Sequence, residues 1–194
     1  MIKLVKESVD DFVQASYGPG PVQAAPVKGS IVDVARLSES VLAILNEQIK
    51  NELHSSQIYR GMSCWLDDAK WPAGTDLFFK YADEELGHMS KIYKYIFDRN
   101  CKAVVPACEG VKSDFSDIRE VIEASLEHEI EVTNNWEAIS NLAKEEGDNT
   151  TYEFAQWFLK EQVEEEDKFR TILEKMDLDM PKYEIDDLFD EYLK

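Results

Sequence analysis

The chain has 194 residues, of which 44% are hydrophobic and 31% are charged, and its formal net charge is −19 at pH 7. This length suffices for one domain with a sizeable core. The acidic excess argues against nucleic acid or an anionic membrane as a partner, because both need a basic footprint, and it favours attraction of cations. Three cysteines without a Cys-x-x-Cys pair indicate neither a disulfide framework nor a zinc knuckle, so we expect a cytoplasmic protein.

Residues 1–30 read as an N-terminal extension, followed by one domain over residues 31–194. Residues 2–15 carry a short amphipathic pattern without the apolar core of a secretory signal, and residues 17–29 hold three prolines and three glycines, typical of a linker. The extension either docks as a helix or is disordered, and the sequence favours docking. No apolar run approaches the length of a membrane span.

Four long amphipathic patterns predict four helices, over about residues 32–68, 76–99, 116–146 and 150–176. Thr75 and Ser116 are the predicted N-caps of the second and third helices, and Gly147 ends the third. A short amphipathic helix is predicted after Pro181.

The lengths of the connections predict the topology of this bundle. The first and third connections are short, so each joins an antiparallel hairpin. The middle connection, residues 100–115, spans up to ~53 Å when extended, whereas a 24-residue helix is ~36 Å long. It can therefore cross the whole bundle and leave the second and third helices parallel. The predicted fold class is all-α: a ferritin-like four-helix bundle with one long crossover, a short C-terminal helix and an N-terminal extension.

Polar residues interrupt the apolar, core-facing stripe of every long helix at a similar depth: Glu52, Glu85 with His88, Glu129, and Glu165 with Gln162. A buried carboxylate is costly unless it is neutralised, and four together would repel one another without a cation. The donor set is mostly oxygen, which suits iron or another hard or borderline metal. The sequence therefore predicts a metal site in the middle of the bundle.

Glu85 and His88 lie one helical turn apart, a spacing that di-iron carboxylate bundles use. Glu85 is central and could bridge two metals. Glu52 with His88 would complete one position, and Glu129 with Glu165 the other.

For two further residues on the same helix faces, Gln162 and Tyr59, the sequence leaves more than one role possible. Gln162 would ligate weakly or hold a water molecule. Tyr59, two turns after Glu52, could hydrogen-bond a ligand or supply an electron, but it could equally be an ordinary core tyrosine.

Glu84, Glu161 and Glu164 lie beside the inward positions. They either form a third, more open metal site or belong to a solvated acidic face, and spacing alone favours the solvated face. His54 and His128 fall off the inward stripes, so we expect them at the surface.

Residues 45–176 resemble a non-haem ferritin of the bacterial type. The matching stretches are Leu45 to Leu53, Ser55 to Tyr59, Ala82 to Met89, His128 with Glu129, and Gln156 to Glu166. By this resemblance Glu52, Glu85 and His88 hold one iron, and Glu85, Glu129 and Glu165 hold the second, with Gln162 beside it. The resemblance also assigns a third iron site to Glu84, Glu161, Glu164 and Glu165, which reverses the preference from spacing.

The resemblance implies oxidation of Fe²⁺ by O₂ or H₂O₂ and storage of the ferric product as a mineral inside a homo-oligomeric shell of 24 subunits. Haem is not expected, because Glu84 and Leu86 flank Glu85 where bacterioferritins carry a methionine. The fourth helix also lacks the second Glu-x-x-His of bacterioferritin and rubrerythrin. The long N-terminal extension and the short tail depart from the family pattern and could alter shell assembly.

Two other classes of function remain open. A di-iron oxidase or peroxidase without storage would use the same ligands, although the missing rubredoxin-type cysteines count against a rubrerythrin. The net charge and the ligands within one subunit disfavour a miniature DNA-protecting ferritin. An interaction protein with a water-filled acidic interior would not explain why ligands on four helices are in register.

Overall fold

The computed structural model describes residues 35–194, which form five α-helices and no β-strand. The helices are α1 (Glu39–Asp68), α2 (Pro72–Asp98), α3 (Ile118–Glu145), α4 (Asn149–Met176) and α5 (Lys182–Leu193). Within this part of the chain, no helix combines the length and the apolar character that a bilayer crossing requires. The predicted extension lies outside the described residues.

Two helices begin at other residues than the sequence suggested. The first was expected from about residue 32, but residues 35–38 are not helical and the Ser38 hydroxyl accepts the Val41 N–H at 3.1 Å as the N-cap of α1. The second was expected after Thr75, but α2 begins at Pro72. A proline fits the first helical position because it lacks the N–H that would have no helical partner there. The Thr75 hydroxyl instead donates to the carbonyl of Trp71.

The other helix ends lie within two residues of their predicted positions. Asp117, one residue after the expected Ser116, caps α3 by accepting the Glu120 N–H at 3.0 Å. Asp148 caps α4 in the same way. Gly147 lies between helices α3 and α4 and has φ +71°, a backbone conformation that glycine adopts without strain. The chain therefore reverses its direction at this residue.

Side-chain contacts between helices establish the direction of each one. Ser63 of α1 contacts Thr75, and Glu52 of α1 lies near His88, so α1 and α2 are antiparallel. Helices α1 and α3 are also antiparallel, because Ser55 contacts His128 whereas Met62, further along α1, contacts the earlier residue Ser125 of α3. Helices α2 and α3 are therefore parallel, as the long connection predicted.

Two apolar clusters occupy the two ends of the bundle and leave a polar layer between them. One cluster includes Leu66, Phe78, Phe169 and Phe189, and the other includes Leu45, Ile92, Trp136 and Phe158. The interrupting polar residues of α1 to α4 lie between these clusters. Close-packed apolar residues above and below fix the depth of the polar layer within the bundle.

Candidate metal centre

The carboxylates of Glu52 and Glu85 and the imidazole of His88 form one tight group. One ligand atom from each residue lies within 4.8 Å of the others, and this is the only such group of potential metal ligands in residues 35–194. His88 Nδ1 is 3.3 Å from Glu85 Oε2 and 3.9 Å from Glu52 Oε2. Glu52 is 1% exposed and Glu85 7%. Helix α1 thus supplies one ligand and a single turn of α2 supplies two.

Burial raises the pKa of Glu52, and the neighbouring charge of Glu85 adds to this effect. Burial likewise raises the pKa of Glu85, to about 8. Gln48 Nε2 donates to Glu52 Oε1 at 2.9 Å, while Glu52 Oε2 is buried without a hydrogen-bond partner among the described residues. A cation bound here would replace the proton and satisfy this oxygen, so the donor set fits a divalent iron ion.

Glu129 of α3 is held beside this group by two neutral donors. The Tyr59 hydroxyl donates to Glu129 Oε1, and Gln162 Nε2 donates to Glu129 Oε2 at 2.6 Å. Burial raises the pKa of Glu129 to about 7, although both hydrogen bonds act in the opposite direction. The three residues come from α1, α3 and α4, so the polar layer is continuous across the bundle.

A cavity of about 410 Å³ connects these groups. Its wall includes four predicted ligands of the paired site: Glu85, His88, Glu129 and Glu165. The three acids predicted for a third site line the same cavity: Glu84, Glu161 and Glu164. Glu84 and Glu164 are exposed and Glu161 is half-buried, so this acidic group lies nearer the solvent than the paired carboxylates.

Glu165 lies on the cavity wall but does not reach the group formed by Glu52, Glu85 and His88. Its Oε1 is 2.7 Å from the ammonium of Lys168, one turn further along α4. Their side chains are 20% and 28% exposed. The structure therefore brings Glu165 to the same cavity as Glu85, His88 and Glu129, and pairs its carboxylate with a cation of the chain itself.

The Ferritin-like domain family matches residues 42–178 of this chain. A probable bacterial non-heme ferritin-like protein of Haemophilus influenzae is 35% identical over 140 residues, which cover 72% of this chain and 85% of that protein. The bacterial non-heme ferritin of Staphylococcus aureus is 38% identical over 135 residues, covering 70% and 81%. The chain belongs to the ferritin family.

Solved ferritins share the fold. The open pore ferritin of the hyperthermophilic archaeon Archaeoglobus fulgidus superposes with a TM-score of 0.72 and 31% identity, over 75% of this chain and 88% of that one. A humanized archaeal ferritin gives a TM-score of 0.75 and 29% identity, over 80% and 96%. The ferritin-like bundle with a short C-terminal helix, expected from the pattern of helices and loops, is thereby confirmed.

Several residues of this ferritin's site were not singled out by sequence reasoning. Tyr81 and Lys168 line the cavity, and neither was among the predicted site residues. Gln48, one turn before Glu52, supplies a hydrogen bond to that ligand, and its spacing could have indicated this.

The expectation for His128 was wrong. It is half-buried, accepts or donates a hydrogen bond with Ser55 Oγ at 2.9 Å, and packs edge-on against the ring of Tyr59. Burial lowers its pKa to about 4. His54 is half-buried as well. His54 and His128 both line a second cavity, which has a volume of about 340 Å³ and lies beside the crossover.

Proposed function

We propose that this protein is an iron-storage ferritin with ferroxidase activity. It oxidises Fe²⁺ at a paired site inside each subunit and stores the ferric product as a mineral in a homo-oligomeric shell of 24 copies. The observation that carries this proposal is the buried group of Glu52, Glu85 and His88, whose ligand atoms lie within 4.8 Å of one another. It lies in the middle of a bundle whose family is that of the ferritins.

Each ligand has a proposed role that follows from its position. Glu52 and His88 hold one Fe²⁺, Glu129 and Glu165 hold the second, and Glu85 bridges both. Carboxylates favour Fe³⁺ over Fe²⁺, so they make loss of an electron easier. Two Fe²⁺ ions supply two electrons, which with two protons reduce O₂ to H₂O₂ or H₂O₂ to two water molecules.

The residues around the pair orient its ligands. Tyr59 and Gln162 each donate a hydrogen bond to Glu129 and hold its carboxylate in place. Tyr59 also lines the cavity and is an additional source of one electron. Outer partners of this kind commonly affect metal affinity or activity by about 10–100-fold.

Size exclusion combined with an iron assay separates this function from its rivals. A large particle that holds many irons per chain supports a storage ferritin. A small oligomer that holds two irons per chain indicates a di-iron oxidase or peroxidase without storage. A protein that binds no iron contradicts both assignments and leaves a bundle with an acidic interior.

Replacement of the proposed bridge tests the paired site directly. Stopped-flow measurement at two Fe²⁺ per subunit is expected to show oxidation at least about 100-fold slower in Glu85→Ala, because both irons lose a ligand. The variant should stay folded, since removal of one clustered carboxylate relieves repulsion in the metal-free protein. Glu137→Ala, which removes an exposed acid from α3, is the charge-matched control. Oxidation at the wild-type rate in Glu85→Ala would contradict the di-iron assignment.

We further propose that Glu84, Glu161 and Glu164 bind a third iron on its way to the mineral. Replacement of both Glu161 and Glu164 by alanine should spare the first rapid oxidation and change later turnovers, because these residues flank the pair without completing it. The measurement is oxidation of repeated additions of two Fe²⁺ per subunit. If the first addition is oxidised as slowly as in Glu85→Ala, the separate third site is wrong.

A further inference from the structure

The ion pair between Glu165 and Lys168 lies where a ligand of the second iron is required. Glu165 Oε1 is 2.7 Å from Lys168 Nζ, and both residues line the cavity that also holds Glu85 and Glu129. A carboxylate oxygen bound to an ammonium at this distance cannot bind a metal ion with the same lone pairs. Iron must therefore compete with Lys168 for this oxygen of Glu165.

Tyr81 lines the same cavity from the facing helix α2. Its side chain is 4% exposed, and its hydroxyl is buried without a hydrogen-bond partner among the described residues. The Lys168 ammonium lies 5.7 Å from the centre of the Tyr81 ring. An unpaired buried hydroxyl is unfavourable, so this group gains from any acceptor that moves towards it.

Glu165 is a carboxylate acceptor on the wall of the same cavity, and it is paired with the same Lys168 ammonium that lies near the Tyr81 ring. Burial raises the pKa of Tyr81, and among neighbouring charges that of Glu165 contributes most, followed by Glu84. The unpaired Tyr81 hydroxyl can donate one hydrogen bond, and a carboxylate is a strong acceptor for it. The ring itself is fixed by edge contacts with Phe78 and Phe169, so the hydroxyl has a defined position.

We propose that Glu165 is a movable iron ligand with two holding residues: Lys168 keeps its carboxylate at the cavity wall, and the Tyr81 hydroxyl holds it over the second iron. This inference rests on the proposed ferroxidase function. Tyr81 and Lys168 are positioning residues, because both act on iron through Glu165.

The released ammonium of Lys168 has a second acceptor on its own helix. Glu164 lies four residues before Lys168, a spacing at which opposite charges on a helix are neighbours. When Glu165 turns to the iron, Lys168 pairs with Glu164 and occupies one of the acids proposed for the third site. When Glu165 returns to Lys168, the second iron loses one ligand. At the same time Glu164 is released from Lys168 and can again bind iron at the proposed third site. This exchange of partners by Lys168 thus couples the release of iron from the paired site to the availability of Glu164 at the proposed third site.

Anaerobic titration calorimetry with Fe²⁺ measures the first consequence. Lys168→Met removes the competitor and should tighten binding of the second Fe²⁺ about two- to fivefold, the range of a partly exposed ion pair. Tyr81→Phe keeps the ring but removes the hydroxyl, and should weaken the same step about three- to tenfold. Binding of the first Fe²⁺ should be unchanged in both. Lys160→Met and Tyr93→Phe are the matched controls on the same two helices.

A double-mutant cycle then shows whether both residues act through Glu165. In a Glu165→Gln background, Lys168→Met and Tyr81→Phe should each change Fe²⁺ affinity by less than about 1.5-fold. A purely structural role of Tyr81 or Lys168 would persist in that background. Shifts of the same size with and without Glu165, or no shift in the wild-type background, would overturn the proposal.

The outcome is separable from that of the proposed function. If the wild-type protein binds two Fe²⁺ per subunit and Glu85→Ala abolishes their oxidation, the ferroxidase assignment stands whatever the Tyr81 and Lys168 variants do. If the wild-type protein binds no Fe²⁺, both proposals are wrong. Circular dichroism of each variant confirms that the helices are retained before affinities are compared.

Discussion

Glu85 and Glu129 bind protons much more tightly in the fold than carboxyl groups do in water. Their pKa values rise from an ordinary 4.5 to about 8 and about 7, and burial is the largest cause for both. In the metal-free protein the protons reduce the repulsion that a bound cation would otherwise relieve. Metal binding should therefore release protons in this pH range.

The same shifts predict how the stability of the metal-free protein depends on pH. Because the folded pKa values exceed the unfolded ones, the native state binds more protons between about pH 4.5 and 8. The stabilisation from these groups is complete below that window and is lost as pH rises through 7 to 8. Thermal unfolding in the presence of a chelator should give a lower Tm at pH 8.5 than at pH 6.

Glu85→Gln provides the control for this pH dependence, because an amide does not titrate. The decrease in Tm between pH 6 and 8.5 should be smaller in this variant than in the wild-type protein. An identical decrease in both would show that Glu85 has no part in it.

At the scale of single residues, helical periodicity predicted which polar side chains of the candidate site are buried, but not the partner of each side chain. It predicted that Glu52, Glu85 and Glu129 are buried, because the helical repeat of about 3.6 residues per turn defines which face of a helix packs inward. It did not predict that Glu165 pairs with Lys168, or that Tyr81 faces the cavity. Those contacts depend on side-chain rotamers and on residues of other helices, and the spacing of residues along one helix gives no information about either.

The crossover between α2 and α3 is fixed to the bundle by close backbone contact. A Cβ atom on Gly61 of α1 would lie 2.6 Å from the carbonyl oxygen of Lys112. The Val104 N–H also donates to Asn46 Oδ1 at 2.7 Å, and Tyr93 donates its hydroxyl to the Val104 carbonyl. These contacts hold both halves of the connection against the helices it crosses.

Gly61→Ala should destabilise the protein by about 1–3 kcal/mol, because the added methyl group meets a backbone atom and overpacks the contact. Gly87→Ala is the matched control. A Cβ on Gly87, also inside a helix, meets nothing within 4 Å, so this change should stabilise by about 0.5–1 kcal/mol. Urea unfolding of both metal-free variants measures the difference, and equal midpoints would contradict the close approach.

Helix α5 docks at the start of α2 through a charged cap that the sequence did not indicate. The Gly74 N–H donates to Asp186 Oδ1 at 3.1 Å, and the Ala73 N–H donates to Oδ2 at 3.4 Å. Phe189, which is fully buried, anchors the apolar side of the same contact. A carboxylate at a helix N-terminus satisfies free N–H groups and interacts favourably with the helix dipole.

Asp186→Ala should lower the free energy of unfolding by about 0.5–2 kcal/mol, as removal of a helix cap commonly does. Asp187→Ala removes the same charge from an exposed neighbour and should have little effect. Chemical denaturation of the two variants under identical conditions gives the comparison. If both variants lose the same stability, net charge and not the cap is responsible.

At the scale of the whole molecule, loop lengths and periodicity were sufficient for the bundle and its crossover. They specify which segments are helical, which faces are buried and how far a connection reaches. The placement of α5 required more, because its apolar stripe could bury against this subunit or against another copy. The contact with Gly74 and the position of Phe189 in the core resolve that choice in favour of its own bundle.

The N-terminal extension, residues 1–30, lies outside the described residues, and its role stays a prediction. The paired ligands begin at Glu52, well beyond the predicted linker that ends near Gly29. Within the described chain, the Arg36 N–H donates to the Arg99 carbonyl at 3.0 Å, so the main domain has its own anchor before α1. A linker rich in glycine and proline should separate the extension mechanically from this anchor.

Deletion of residues 1–30 should therefore leave the initial rate of Fe²⁺ oxidation unchanged and alter the size or homogeneity of the assembled particle. The amphipathic pattern of residues 2–15 needs an apolar surface, because a helix this short is marginal alone in water. The simplest such surface is a neighbouring subunit. Stopped-flow oxidation and size exclusion on the same truncated sample measure both quantities. If the truncated protein assembles normally but oxidises iron slowly, the extension reaches the metal site, and the division of the chain at residue 30 is wrong.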